Sequence, residues 1–268
     1  MSSENEKPPV CLSIAGLDPS GGAGIIADIK AFRAFGCFGA AAVTSITFQN
    51  TAGVYGAVHQ TAETVRGQVQ PVIDDLNVAA VKTGMLPTRE VIDETARLIA
   101  ENGLGNVVVD PVVRSTSGFD LIDEDALRSL IELLFPLADV ITPNIPEAER
   151  IARMSIVNER DVERAAAVMR SMGARNVLIK GGHFGEARAV GRTARDFLFI
   201  GDVLHSFEGE YFDTTATHGT GCTLAASITA NLALGHELAE SVRISKEFVA
   251  EGIRNAPGLG HGNSPIRI

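Results

Sequence analysis

Short apolar runs alternate along the chain with longer stretches whose apolar residues recur every three or four positions. The first pair sets the pattern. Residues 11–16 (CLSIAG) predict a buried strand, and residues 22–36 predict a helix with Ile25, Ile29 and Phe32 on one face. Residues 40–47 predict the next strand. Residues 61–76 then place Val65, Val69, Val72, Ile73 and Leu76 at helical spacing, with Pro71 as the expected kink. Residues 78–84 read as a strand, and Thr88 as the cap of a helix running to about Ala100 along Val91, Ile92 and Leu98. Residues 106–111 are almost wholly apolar, as expected of a strand covered on both faces.

The alternation continues to the C-terminus. Three acids at 123–125 open a helix that ends near Phe135 and Pro136, residues 139–144 predict a strand, and Pro146 starts a short helix. A helix is expected over 161–172 and a strand over 176–182. A hairpin follows, with arms at 195–201 and 203–212 that turn at Gly201 and Asp202. Two helices, 219–234 and 237–254, close the chain. Strand and helix in turn imply an α/β fold: a mostly parallel sheet flanked by helices, with one late antiparallel hairpin. No linker, repeat or low-complexity tract interrupts it, so residues 10–268 read as one domain behind a disordered or extended tail at 1–9. In such sheets ligands collect at the carboxyl ends of the strands.

Composition narrows the function. The 268 residues carry a net charge of -10 and no basic block, which argues against a nucleic-acid partner. The opening MSSENEKPP lacks the order of a signal peptide, and no apolar run reaches the ~18 residues of a membrane span. The cysteines Cys11, Cys37 and Cys222 are too few for a disulfide framework, so a reduced, cytoplasmic protein is expected.

The residues that invite chemistry follow predicted strands. GLDPSGGAG (residues 16–24) permits close backbone approach to a ligand, although its glycines fit a dinucleotide fingerprint only loosely. The Walker pattern fails, because no lysine follows a glycine. DTTATHGTGCTLAAS (residues 213–227) is more telling. Gly219, Thr220 and Gly221 lead into a small-residue helix whose first amides would converge into an anion hole. Cys222 falls in the first turn, where a thiol's pKa is expected to drop, and reads as a base, a nucleophile or a buried structural cysteine. Asn144 and Glu147 share a helical face after a strand, and with Asp110 could hold Mg²⁺ through water; helix capping explains the same pair. Lys180 could meet a phosphate. Gln49 and Met85 suit a neutral heteroaromatic ring.

Taken in order, SIAGLDPSGGAGIIADIKAF, SITFQNT, VKTGML, VDPVV, ITPNIPEAE, IKGGH, THGTGCTLAA and GHGNSP make the chain resemble the hydroxymethylpyrimidine/phosphomethylpyrimidine kinases of thiamine biosynthesis, over about residues 10–265. The resemblance implies a ribokinase-like three-layer sandwich, usually a homodimer. It implies transfer of the ATP γ-phosphoryl to 4-amino-5-hydroxymethyl-2-methylpyrimidine and then to its monophosphate, with Mg²⁺ and with K⁺ as a possible helper. By position, Gly16, Ala23, Asp28, Gln49, Met85 and Val112 would form the pyrimidine pocket. Cys222 would be the base over the anion hole of Gly219, Thr220 and Gly221. Asp110 and Glu147 would organise the metal, and Lys180, Asn144, Thr214 and His218 would stand by the nucleotide.

Two stretches depart from the family pattern, Arg114–Ser–Thr–Ser–Gly118 and the Arg-rich residues 186–195, which read as a flap or an exposed loop. A related pyridoxine or pyridoxal kinase is the nearest rival. A cysteine hydrolase pairing Cys222 with His218, and a non-catalytic pyrimidine sensor, are more distant ones.

Overall fold

In the computed structural model, which describes residues 7–113, 121–181 and 193–268, the strand–helix alternation begins with β1 (Val10–Leu17) and α1 (Gly24–Ala34). β2 (Phe38–Asn50) and β3 (Gly53–His59) come next, then α2 (Ala62–Asp75), β4 (Val78–Thr83), α3 (Arg89–Glu101) and β5 (Val107–Val109). α4 (Glu124–Ser129) runs on through a π turn and a 3-10 turn to Leu137, ahead of β6 (Val140–Ile141). α5 (Ile145–Ala152), α6 (Glu159–Ser171) and β7 (Asn176–Ile179) lead to the hairpin β8 (Thr193–Ile200) and β9 (Val203–Glu210). The chain ends with α7 (Thr220–Ala233) and α8 (Leu238–Arg254).

The described strands form one sheet in the order β3-β2-β1-β4-β5-β6-β7-β8-β9. From β2 to β7 neighbours run parallel; β3, β8 and β9 are antiparallel. Alternate residues serve opposite faces. Val107 and Val109 pack with α2 to α6, whereas Val108 packs beneath α7 and α8. α7 is the middle member of its layer, buried from Thr223 to Asn231, which explains its all-round small and apolar sequence.

Side-chain caps set the helix starts. Thr61, Thr88 and Asp123 accept from Thr64, Val91 and Ala126 amides. α6 starts before the expected residue 161 because Asn158 caps it through the Asp161 amide. Pro71 lies inside α2. β3 was not expected from the sequence. It is an edge strand with two glycines and no fully buried residue, so it carries no apolar run to read. β2 outlasts its predicted end at 47 because Ser45 to Asn50 pair with β3.

Candidate active site

The carboxyl ends of β1, β4, β5, β6 and β7 face the N-terminus of α7 across a cavity of about 440 Å³. All but one of the sequence-predicted site residues line it. Gly219 makes the turn into α7 at φ 83°, and a Cβ there would overlap the Gly22 carbonyl, so the two glycine-rich loops touch backbone to backbone. First-turn amides of a helix have no intrahelical partner, so those of Gly221 and Cys222, both lining the cavity, are the pair available to an anion. Thr220 does not join them. Its amide donates to the Thr217 carbonyl at 3.3 Å and its hydroxyl to the same oxygen at 3.0 Å.

Cys222 lines the cavity, but its thiol is not activated as expected. Burial pushes its pKa up, and Asp28 and Asp110 add to the rise; the Lys82 ammonium and the Gly24 N–H oppose it without prevailing. The helix terminus is outweighed by desolvation. Gly24 holds φ 56°, and a side chain there would strike the Gly16 carbonyl, so glycine keeps that amide close to the sulfur.

Beside the turn stands a charged cluster. Lys180 Nζ donates to Asp110 Oδ1 at 2.8 Å and lies 3.4 Å from where a Cβ on Gly221 would sit. Thr142 donates to the same Asp110 oxygen at 3.0 Å. Burial pushes Asp110 up, yet Lys180 and Lys82 outweigh it and hold the carboxyl below its ordinary range. Glu147 behaves oppositely: burial, against the pull of Lys180 and with the push of Asp110, raises it to about 7. Asn144 and Glu147 form a reciprocal capping box on α5, with side chains accepting from each other's amides at 2.9 and 2.8 Å. The capping explanation holds for this pair, and both residues still border the cavity. Among the described residues no cluster of three or more His, Cys, Asp or Glu forms a closed metal cage. Two carboxylates without a third fit a Mg²⁺ whose other ligands are water and phosphate.

Gly16, Ala23, Gln49, Met85 and Val112 line the same cavity, and Met85 Sδ lies 3.2 Å from where a Cβ on Gly16 would sit. Asp28 does not border the cavity. It is fully buried, accepting from Ser13 at 2.6 Å and from the cavity-lining Lys82 at 2.9 Å. Burial raises its pKa despite both partners. Thr214 lines the cavity rim and accepts from the Ala216 amide at 3.1 Å. His218 lines the cavity too, with Nε2 turned to Asp18 at 2.8 Å rather than towards Cys222. The Cys222–His218 pairing that the distant cysteine-hydrolase rival requires gains no support from this geometry.

Several lining residues were assigned no role from the sequence. Lys82 is the penultimate residue of β4, where a lysine inside an apolar strand was the available signal. Asp196 accepts from the Gly181 amide at 2.9 Å and from Lys246 Nζ at 2.6 Å, which fixes the backbone just after Lys180. Asp18 and Asn263 also line the cavity. Residues 1–6, the stretch 114–118 and residues 186–192 lie outside the described residues; Thr193, Ala194 and Arg195 belong to β8.

The phosphomethylpyrimidine kinase family matches this chain over residues 18–267. The hydroxymethylpyrimidine/phosphomethylpyrimidine kinase of Bacillus subtilis (strain 168) is 43% identical over 254 residues, 95% of this chain and 92% of that one. The solved phosphomethylpyrimidine kinase from Clostridium difficile 630 has a TM-score of 0.79 at 39% identity, covering 91% of this chain and 99% of that one. The ADP complex of Bacillus subtilis pyridoxal kinase has a TM-score of 0.87 at 35% identity and covers 97% of both chains.

Proposed function

The chain belongs to the phosphomethylpyrimidine kinase family and is a phosphotransferase of thiamine biosynthesis, and from that premise we propose the division of labour in its site. ATP phosphorylates the hydroxymethyl oxygen of 4-amino-5-hydroxymethyl-2-methylpyrimidine and, in a second turnover, the resulting monophosphate. The single observation that carries this reading is that one cavity is lined both by Gly16, Gln49 and Met85 and by the Gly219–Cys222 turn into α7, with its sulfur. Gln49 reads the ring edge and Met85 covers its face.

Phosphoryl transfer asks for alignment and charge neutralisation more than for covalent help. The amides of Gly221 and Cys222 and the Lys180 ammonium absorb charge on the phosphoryl oxygens. Cys222, in its thiolate form, takes the alcohol proton late in the step. Asp110 and Glu147 would hold a Mg²⁺, which when bound would supply further neutralisation of the phosphate oxygens. Thr214 and Asn144 border the nucleotide. The kinase unit spans residues 10–268, acts in the cytoplasm, and forms a homodimer through the exposed apolar face of β2 and β3. A second reading, pyridoxal phosphorylation, is favoured by the likeness to the pyridoxal kinase structure.

Mg²⁺-dependent ADP release with the pyrimidine alcohol, its monophosphate and pyridoxal tests both. The expected order of kcat/KM puts the two pyrimidines above pyridoxal. Turnover of pyridoxal with neither pyrimidine accepted would overturn the first reading. Exchanging K⁺ for Na⁺ in the same assay measures any monovalent-cation effect.

A further inference from the structure

The two loops that would carry the reaction come from opposite ends of the chain. Residues 16–24 border the acceptor pocket and residues 217–222 border the phosphoryl cradle. Their relative placement decides whether oxygen, phosphorus and sulfur fall in line, and a displacement of about 1 Å can cost on the order of 10²-fold in rate.

One carboxylate oxygen joins them. Asp18 Oδ2 accepts from the Gly22 amide at 3.2 Å and the Ala23 amide at 2.9 Å, and lies 2.8 Å from His218 Nε2. Oδ1 takes the amide and hydroxyl of Ser20 at 2.8 and 2.7 Å. An ionised carboxylate only accepts, so Nε2 is the ring nitrogen that carries a proton. Burial pushes Asp18 up, but the bonds from His218 and Ser20 outweigh it and keep the carboxyl ionised. The histidine is anchored from behind. Its amide donates to the Ser264 carbonyl at 3.2 Å, and it bridges to Pro265 within the terminal GHGNSP segment. That segment is tied in turn to β2's end, where the Asn263 amide donates to the Thr51 carbonyl at 2.8 Å. Both clasp residues are buried, Asp18 at 1% and His218 at 8% exposure.

We propose that Asp18 and His218 form a clasp of positioning residues that sets the distance between acceptor alcohol and phosphoryl cradle. The inference rests on the kinase reading. The His218 ring that the resemblance put beside the nucleotide is bonded to Asp18 instead, so its loss should lower turnover more than the affinity for either ligand.

The test compares His218→Ala, His218→Gln, Asp18→Asn and the Asp18→Asn/His218→Ala double variant with wild type. For His218→Ala kcat falls by about tenfold or more. The Kd values for ADP and for the pyrimidine, each measured alone by calorimetry, change by less than about threefold. His218→Gln, whose amide N–H can reach Asp18, restores much of kcat. The double variant is no worse than the poorer single one, as expected of partners in one interaction. A kcat for His218→Ala within about twofold of wild type overturns the clasp. Proportional loss of kcat and both affinities overturns it as well, and so do additive losses in the double variant. If His218→Ala does not fold, the contrast between His218→Gln and Asp18→Asn decides, and equal kcat loss in both is the negative result. Wild-type turnover of the pyrimidine is read first. Its failure would sink the pyrimidine reading alone, with pyridoxal turnover then serving as the readout for the clasp.

Discussion

At the scale of single residues, the sulfur and the carboxyls are set by burial first and by their partners second. A Cys222 thiol whose pKa is raised by burial holds little thiolate at neutral pH, and a base acts only in proportion to that form. Alcohol phosphorylation should therefore quicken with pH above neutrality, by up to about tenfold per unit. Cys222→Ala should abolish that rise and lower kcat by about 10²–10⁴-fold while leaving pyrimidine binding in place. Phosphorylation of the monophosphate, whose attacking oxygen already has a low pKa, should suffer less; equal loss in both steps would point to an electrostatic role for the sulfur. Steady-state rates with each acceptor across pH 6–9 check all three expectations.

Glu147 offers a separate readout in stability. Its folded pKa of about 7 lies above the ordinary carboxyl value of about 4.3, so the folded state holds this proton more tightly. Stability from Glu147 is thus fully present below about pH 4 and is withdrawn as pH rises through 7. Glu147→Gln keeps the capping box, since Gln also serves at that position, and removes the titration. The unfolding free energy of wild type minus variant, from urea titrations at pH 5–8, should fall with rising pH; a flat difference would show that the carboxyl ionises as it does in water.

Among elements, the entry to α7 is the most constrained. Gly219 combines a left-handed φ of 83° with backbone contact to Gly22, so Gly219→Ala faces both strain and overlap. The strain by itself is worth about 1–2 kcal/mol, and relief of the overlap must part the two loops. Thermal unfolding should show a lowered Tm, and kcat should drop with it; a fully active variant would mean that the loops tolerate separation. α5 shows why one motif served two explanations. Its N-terminal residues must satisfy the helix's free amides, and the same residues end a strand at the ligand-bearing edge of the sheet.

On the scale of the whole molecule, charge and edges are both unevenly spread. The chain is acidic overall, yet three of its five lysines, Lys82, Lys180 and Lys246, line the cavity, each held by an aspartate. Anionic substrates thus meet cations locally, against the net charge of -10. Among the described residues no helix is long and apolar enough to cross a membrane. The β3 edge of the sheet carries Ile46, Phe48, Tyr55 and Val58 at 40, 52, 68 and 51% exposure. Ile46 stands opposite Val58 and Phe48 lies two residues along β2, so these three side chains share a face, while Tyr55 sits at the irregularity in the register. An uncovered apolar edge of this kind invites a second copy. Wild type should sediment as a dimer at micromolar concentration and Phe48→Asp as a folded monomer. A monomeric wild type would remove the dimer from the account.

The sequence by itself determined the order of elements apart from β3, the mostly parallel sheet and the cluster of polar motifs behind its strands. Those features follow from local periodicity and from backbone rules that act over a few residues. Gln49, Met85 and Lys180 stood out because each follows an apolar run, and Cys222 because it opens a small-residue helix behind two glycines; all four line the cavity. Only the tertiary structure decided that Asp28 does not border the cavity, that Thr220 is spent on a turn, that burial outweighs a helix terminus at Cys222, and that Asp18 holds His218. Desolvation and pairing depend on which distant segments close over a group, and residues 200 positions apart leave no mark of their contact in the order of the chain.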